Sequence, residues 1–325
     1  MPVTEQTQTQ TEVKVEAVNT QTQASTMAST RADPSRVLLA GDWHGNLGWG
    51  LAVVDHAADA HAEVIVHVGD FGIWPGSAGQ RYLHLLDQRL FERGLRLAFV
   101  DGNHENFDLL DTYPCRRDGT ALIRPTITHL PRGHRWSWHD QSWLALGGAT
   151  SVDRNLRTPG RDWWAREAIT IAQATSAAGG GHADVLICHD APAGVAALEA
   201  KLAPNSLGLP ADVLRGSRSH REMVRGVVEE VAPDYLWHGH YHWAYRDELM
   251  LPDGHRVQVS GLDMDGTTMA ANTEILDLPC PVRAPSPTHG RNQPCRCSCA
   301  HRERQDGDSH VQNGQGPPAV GPGTR

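Results

Sequence analysis

Residues 36–46 read RVLLAGDWHGN: an apolar run of strand length passes straight into Gly41, Asp42 and His44. Continuous apolar character without alternation is what a strand covered on both faces requires. The same arrangement recurs outward along the chain. VIVHVGDFG (64–72) ends at Asp70, LRLAFVDGNHEN (95–106) at Asn103, His104 and Glu105, DVLICHDAP (184–192) at His189, and YLWHGHYH (235–242) at His238, His240 and His242. Between the first three runs, residues 47–60 and 81–93 carry apolar side chains at three- and four-residue spacing, the period of amphipathic helices. Strand, helix, strand, helix, strand defines an α/β domain. Farther along, HRWSWHD (134–140), SWLALGGA (142–149), HWAYRDELM (242–250), HRVQVSG (255–261) and TEILDL (273–278) read as short or alternating strands with turns such as PDG between them. They are expected to add an antiparallel portion and so to give a mixed, layered α/β domain.

The whole chain has 325 residues, of which 39% are apolar and 21% charged, so a sizeable core can form. A net charge of −9 supplies no broad positive field, which argues against a nucleic-acid coat or a basic membrane-surface protein and disfavours long nucleic acid as a partner. No apolar run approaches the roughly 18 residues of a membrane span, and MPVTEQTQTQ lacks the features of a signal peptide. A cytoplasmic protein without membrane association is expected. Residues 1–33, rich in Thr and Gln, are expected to form a disordered tail, within which Met27 offers an alternative start. The folded domain is expected over 34–279, followed by a Pro/Gly-rich tail over 280–325. That tail carries Cys295, Cys297, Cys299 and His301, a candidate zinc site whose plain alternative is a set of incidental cysteines. Cys115, Cys188 and Cys280 read as isolated thiols.

Ligands of open α/β sheets bind beyond the carboxyl ends of the strands. Each of the five runs delivers a metal- or proton-competent side chain to such an end, and Asp42 and His44, two positions apart, can turn toward one point. A single Asp-x-His or Gly-Asn-His would read as an ordinary turn, and a lone histidine is more often a satisfied structural residue than a ligand. Five such sites in order, each behind an apolar strand, are a different signal.

By their order and context, GDWHGN, GDFG, GNHEN, CHDAP and HGHYH resemble the calcineurin-like metallophosphoesterase superfamily, whose blocks run D-x-H, G-D, G-N-H-[DE], H and G-H-x-H. The likeness extends over about residues 36–278 and implies a layered α/β/β/α sandwich with mixed sheets. It implies that Asp42, His44, Asp70 and His242 hold one divalent metal and Asp70, Asn103, His189 and His240 a second, with Asp70 bridging. Two cations about 3.5–4 Å apart repel, which is why a carboxylate must lie between them. Imidazole and carboxylate donors suit manganese first, with Fe, Zn, Co or Ni as alternatives. The implied activity is hydrolysis of a phosphomono- or diester by in-line attack of a metal-bridging hydroxide, with His104 protonating the leaving group or stabilising the transition state. A scaffold that kept the fold without the chemistry is the rival reading, and it predicts missing ligands; none is missing.

GGATSVDRNLRTPGRDWWAREA (147–168) looks like the corresponding segment of actinobacterial and phage members. Asp153, Arg154 and Arg157 are candidates for gripping substrate phosphate, the alternative being a loop ion pair between Asp153 and Arg154. Trp163 and Trp164 are expected to open a helix. Asp190 and Glu105 are candidates for orienting neighbouring groups, Trp43 and Trp74 for walling the pocket or covering the sheet, and His238 is given no ligand role.

Overall fold

The computed structural model describes residues 33–278. In chain order its strands are β1 (Arg36–Ala40), β2 (Val64–His67), β3 (Arg96–Phe99), β4 (Ala121–Arg124), β5 (Ile127–His129) and β6 (Arg135–Trp138). Then follow β7 (Gln141–Leu146), β8 (Val185–Cys188), β9 (Tyr235–His238), β10 (Tyr245–Met250), β11 (Arg256–Gly261) and β12 (Thr273–Asp277). The helices are α1 (Leu47–Asp59), α2 (Gly76–Glu92), α3 (Phe107–Leu110), α4 (Ile171–Ala178), α5 (Ala196–Leu202), α6 (Ala211–Val231) and α7 (Met269–Asn272).

The five runs that end in polar residues all become strands, but they divide between two sheets. One has the order β12-β1-β2-β3-β5-β4, the other β10-β11-β9-β8-β7-β6. Both follow one plan: four parallel strands in the middle and an antiparallel strand at each edge. The mixed, layered domain is as expected, and the added antiparallel portion is corrected only for β7 and β11. β7 and β11 lie parallel to β8 and β9, and only β6, β10 and β12 of the later strands run antiparallel. As interior strands, β7 and β11 are buried through their second halves, unlike the half-exposed strand that alternation suggests.

Period-2 alternation of side chains divides each strand between two cores. Val37, Leu39, Val66 and Val100 of the first sheet face Trp143, Val185, Ile187 and Trp237 of the second. On its other face the first sheet packs Leu38, Ile65 and Leu97 against Val53, Leu83, Leu86 and Leu90 of α1 and α2. The second sheet packs Leu144, Leu186 and Leu236 against Ala174, Leu198, Val224 and Val228 of α4, α5 and α6. The result is an α/β/β/α sandwich, each fully buried Val, Leu or Ile contributing about 1.5–3 kcal/mol.

One local expectation is revised. Trp163 and Trp164 do not open a helix; they precede a single 3-10 turn over Ala165–Glu167, and α4 begins at Ile171 behind a capping box formed by Thr170 and Gln173. The 21-residue α6 has no counterpart in the sequence reading. Among the described residues, no helix is long and apolar enough to cross a membrane. The Thr/Gln-rich stretch up to residue 32 and the tail from 279, with Cys295, Cys297 and Cys299, lie outside the described residues.

Candidate metal centre

The carboxyl ends of β1, β2, β8 and β9, with the loop after β3, meet at one point. One donor atom from each of Asp42, His44, Asp70 and His242 falls within 4.8 Å of all the others. His242 Nε2 lies 3.2 Å from Asp42 Oδ2, and His44 Nε2 lies 3.5 Å from Asp70 Oδ2. On the other side of Asp70, Oδ1 stands 3.4 Å from His189 Nε2, which is itself 3.1 Å from Asn103 Oδ1. His240 closes this second group, its ring centroid 5.1 Å from that of His189, while its backbone N–H donates to Asp42. All seven expected ligand residues are thus gathered, with Asp70 between two groups.

Backbone strain concentrates here. His44, Asp70, His240 and His242 have φ of 47°, 54°, 68° and 48°, a left-handed conformation that L side chains rarely adopt and that costs on the order of 1–3 kcal/mol each. The motif glycines let the backbone come close to the carboxylates. A Cβ at Gly102 would lie 2.0 Å from Asp70 Oδ1, and one at Gly239 would lie 2.0 Å from Asp42 Oδ1.

Electrostatically the site asks for positive charge. Asp42 and Asp70 are buried, and Asp70 Oδ2 has no hydrogen-bond partner among the described residues. Burial opposes protonation of His189, yet the Asp70 and Asp42 carboxylates carry it up to about 10; for His44 the same contest ends at about 9. His240, where burial prevails, is pushed down to about 4. Protons are drawn onto imidazoles facing the carboxylates, and a divalent cation would occupy the same potential. An N/O donor set with one orphaned buried carboxylate oxygen fits a hard or borderline metal.

A surrounding shell orients these donors. His44 Nδ1 is 2.9 Å from Asp265 Oδ1, and His189 Nδ1 is 2.9 Å from the Val68 carbonyl; each partner holds the proton on Nδ1 and leaves Nε2 facing Asp70. The Asn103 amide donates to Ser151 Oγ at 3.0 Å, and that hydroxyl donates to Glu167 at 2.7 Å. Glu105, ambiguous in the sequence, accepts N–H bonds from Phe71, Gly72 and Ile73 and so clamps the loop that carries Asp70. Burial and the Asp70 charge raise its carboxyl to about 7 against those bonds. Asp190 caps the Ala191 N–H and accepts from Tyr241. His238 bonds the Tyr245 hydroxyl and takes no place among the donors. Trp43 is fully buried against His67 and belongs to the core. Of the supporting residues, Ser151 and Glu167 lie within the segment 147–168 that opens on the Gly-Gly turn, whereas no sequence motif marks Asp265 or His220.

His104 projects beside the cluster, its ring 5.4 Å from that of His44, while its backbone N–H donates to Asp70 Oδ1 at 2.8 Å. Burial lowers its imidazole below the ordinary value, outweighing the pull of Asp70 and reinforced by Arg157. Arg157 Nη2 lies 2.6 Å from His104 Nε2, while its Nε donates to Asp153 at 2.9 Å. The ion pair of this loop therefore joins Asp153 to Arg157. Arg154 turns instead to Asp212 of α6, at 3.6 Å.

Parallel strands of two packed sheets that pool Asp, Asn and His at their carboxyl ends define the class, a metal-binding α/β/β/α sandwich. The family model for calcineurin-like phosphoesterases matches residues 35–244, and the chain belongs to that family. With membership goes the coarse assignment of a metal-binding phosphoesterase. No curated protein matches the chain. Among solved structures it is similar to a dimetal phosphatase from Danio rerio, at 13% identity and TM-score 0.43 over 71% of this chain and 88% of that one. It is also similar to the protein TT1561 of Thermus thermophilus, at 15% identity and TM-score 0.40 over 75% and 99%. A purple acid phosphatase from yellow lupin seeds matches at 12% identity and TM-score 0.36, over 70% and 44%.

Proposed function

We propose that the protein is a dinuclear phosphoesterase that hydrolyses a phosphomono- or diester in the cytoplasm. The carrying observation is Asp70: its two oxygens face different imidazoles, His44 at 3.5 Å and His189 at 3.4 Å, and Oδ2 is buried without a hydrogen-bond partner among the described residues. A carboxylate so placed is suited to serve two cations, one with Asp42, His44 and His242, the other with Asn103, His189 and His240. Manganese suits this donor set, as do Fe, Zn, Co and Ni. Bound cations would polarise phosphate oxygens and acidify water.

The chain's own residues supply the rest. His104 and Arg157 converge beside the donors. Arg157 binds phosphate oxygens through a guanidinium that Asp153 holds in place, and His104 delivers a proton to the departing oxygen or stabilises charge on it.

The test strips the purified protein of metal, reloads it with Mn²⁺ or another divalent ion, and assays p-nitrophenyl phosphate, bis-p-nitrophenyl phosphate and several nucleotides. Metal-dependent turnover of at least one is expected. Two ions bound with no turnover of any would favour a non-catalytic scaffold.

A further inference from the structure

His220 lies on α6, outside the donor set, and is only 3% exposed. Its Nε2 accepts the Ile169 N–H at 3.0 Å, which leaves the ring proton on Nδ1, 2.6 Å from Asp190 Oδ2. The other Asp190 oxygen accepts the Tyr241 hydroxyl at 2.6 Å. One imidazole therefore has two arms. The first reaches through Asp190 to Tyr241, which stands between His240 and His242. The second fixes Ile169, two residues after Glu167, the carboxylate that holds Ser151 against Asn103. Arg132 grips the same segment from its carbonyl side, bonding the oxygens of Arg166, Glu167 and Ala168.

We propose that His220 is a positioning residue for the metal centre: through Asp190 and Tyr241 it sets the His240–His242 loop, and through Ile169 it sets the segment that orients Asn103. This rests on the reading of Asn103, His240 and His242 as ligands. The arms differ in reach, since the Tyr241 arm touches a ligand of each ion and the Ile169 arm a ligand of only one.

Calorimetric titration of the metal-stripped full-length chain with Mn²⁺, alongside thermal unfolding of the metal-free form, tests the arrangement. The unaltered chain should bind two ions. Tyr241→Phe keeps the ring and removes only the hydroxyl; it should weaken both ions by about 10-fold, the lower end of what loss of an outer partner costs. His220→Asn retains an N–H near the position of Nδ1 and offers nothing to Ile169, so it should weaken the ion that Asn103 holds and spare the other. His220→Gln, with its amide oxygen near the position of Nε2, should resemble Tyr241→Phe. Unchanged affinities in all three variants, with or without a fall in melting temperature, would overturn the proposal. If the His220 variants fail to fold, Tyr241→Phe decides alone. An unaltered chain that binds no ion would overturn the ligand reading and this inference with it; two tight ions with indifferent variants would overturn this inference only.

Discussion

Both sheets place four parallel strands between antiparallel edges, yet they bring unlike chemistry to their common end. The first supplies Asp42, Asp70 and Asn103 with His44 and His104; the second supplies only imidazoles, from His189, His240 and His242. Without the imidazoles opposite, Asp42 would be an unpaired buried charge, at a cost of several kcal/mol, and Asp70 would keep only His44. Neither sheet holds a balanced site by itself. Ion binding should therefore stabilise the closed sandwich, by about 4 kcal/mol for an ion present at a thousand times its Kd.

The strongest way to break this contrast is to neutralise the shared carboxylate. Asp70→Asn should weaken both ions and take activity to background, whereas His189→Ala, on the imidazole side, should spare the ion of the Asp42, His44 and His242 group. Elemental analysis reads both outcomes. Two full equivalents in Asp70→Asn would remove the bridging role. Next in size is His104→Ala, which should keep its metal while kcat falls about 10²–10⁴-fold, the scale of general acid catalysis. Metal loss in that variant would move His104 into the ligand set.

Arg132 stitches the two halves together, bonding Asp101 at the end of the first sheet and the carbonyls of residues 166–168 that lead into α4. Arg132→Ala leaves Asp101 buried and short of its main partner, so a loss of about 3–5 kcal/mol is expected in denaturant unfolding. Although burial opposes it, Arg132 and His129 hold the Asp101 carboxyl well below the usual range. Its contribution is complete above the ordinary carboxylate value and is lost as pH falls toward the depressed one. The variant should accordingly flatten the acid limb of the stability profile, and an unchanged limb would show that another carboxylate controls it.

The contrast between the sheets was partly legible in the sequence. RVLLA, VIVH and VLIC are covered on both faces and so read as unbroken apolar runs, and the residues that follow them fall at the site because parallel strands share one carboxyl end. The supporting shell left no such trace. His44 finds Asp265 and Asn103 finds Ser151 across long stretches of chain, and no local period encodes such pairs. α6 is masked in the sequence because its buried Val213, Val224, Val227, Val228 and Val231 are interleaved with many charged residues. β7 and β11 looked antiparallel because polar residues in their first halves imitate alternation.

The finest test lies within the first sheet, in two asparagines that look alike in the sequence. Asn46 accepts the Trp49 N–H as the N-cap of α1 and also donates to Asp265, the carboxylate that orients His44. Asn106 accepts the Leu109 N–H as the N-cap of α3. Replacing either by Ala should cost about 1 kcal/mol, the ordinary worth of a cap. Only Asn46→Ala should also weaken the ion at His44, because only there does the cap's amide reach the metal-orienting carboxylate. Asn46→Asp separates the two tasks. It preserves the cap acceptor, so stability should hold, but sets a second carboxylate against Asp265 where an amide donor stood, so the loss of affinity should remain or deepen. Equal metal affinity in Asn46→Asp and the unaltered chain would reduce Asn46 to a cap and leave Asp265 to orient His44 unaided.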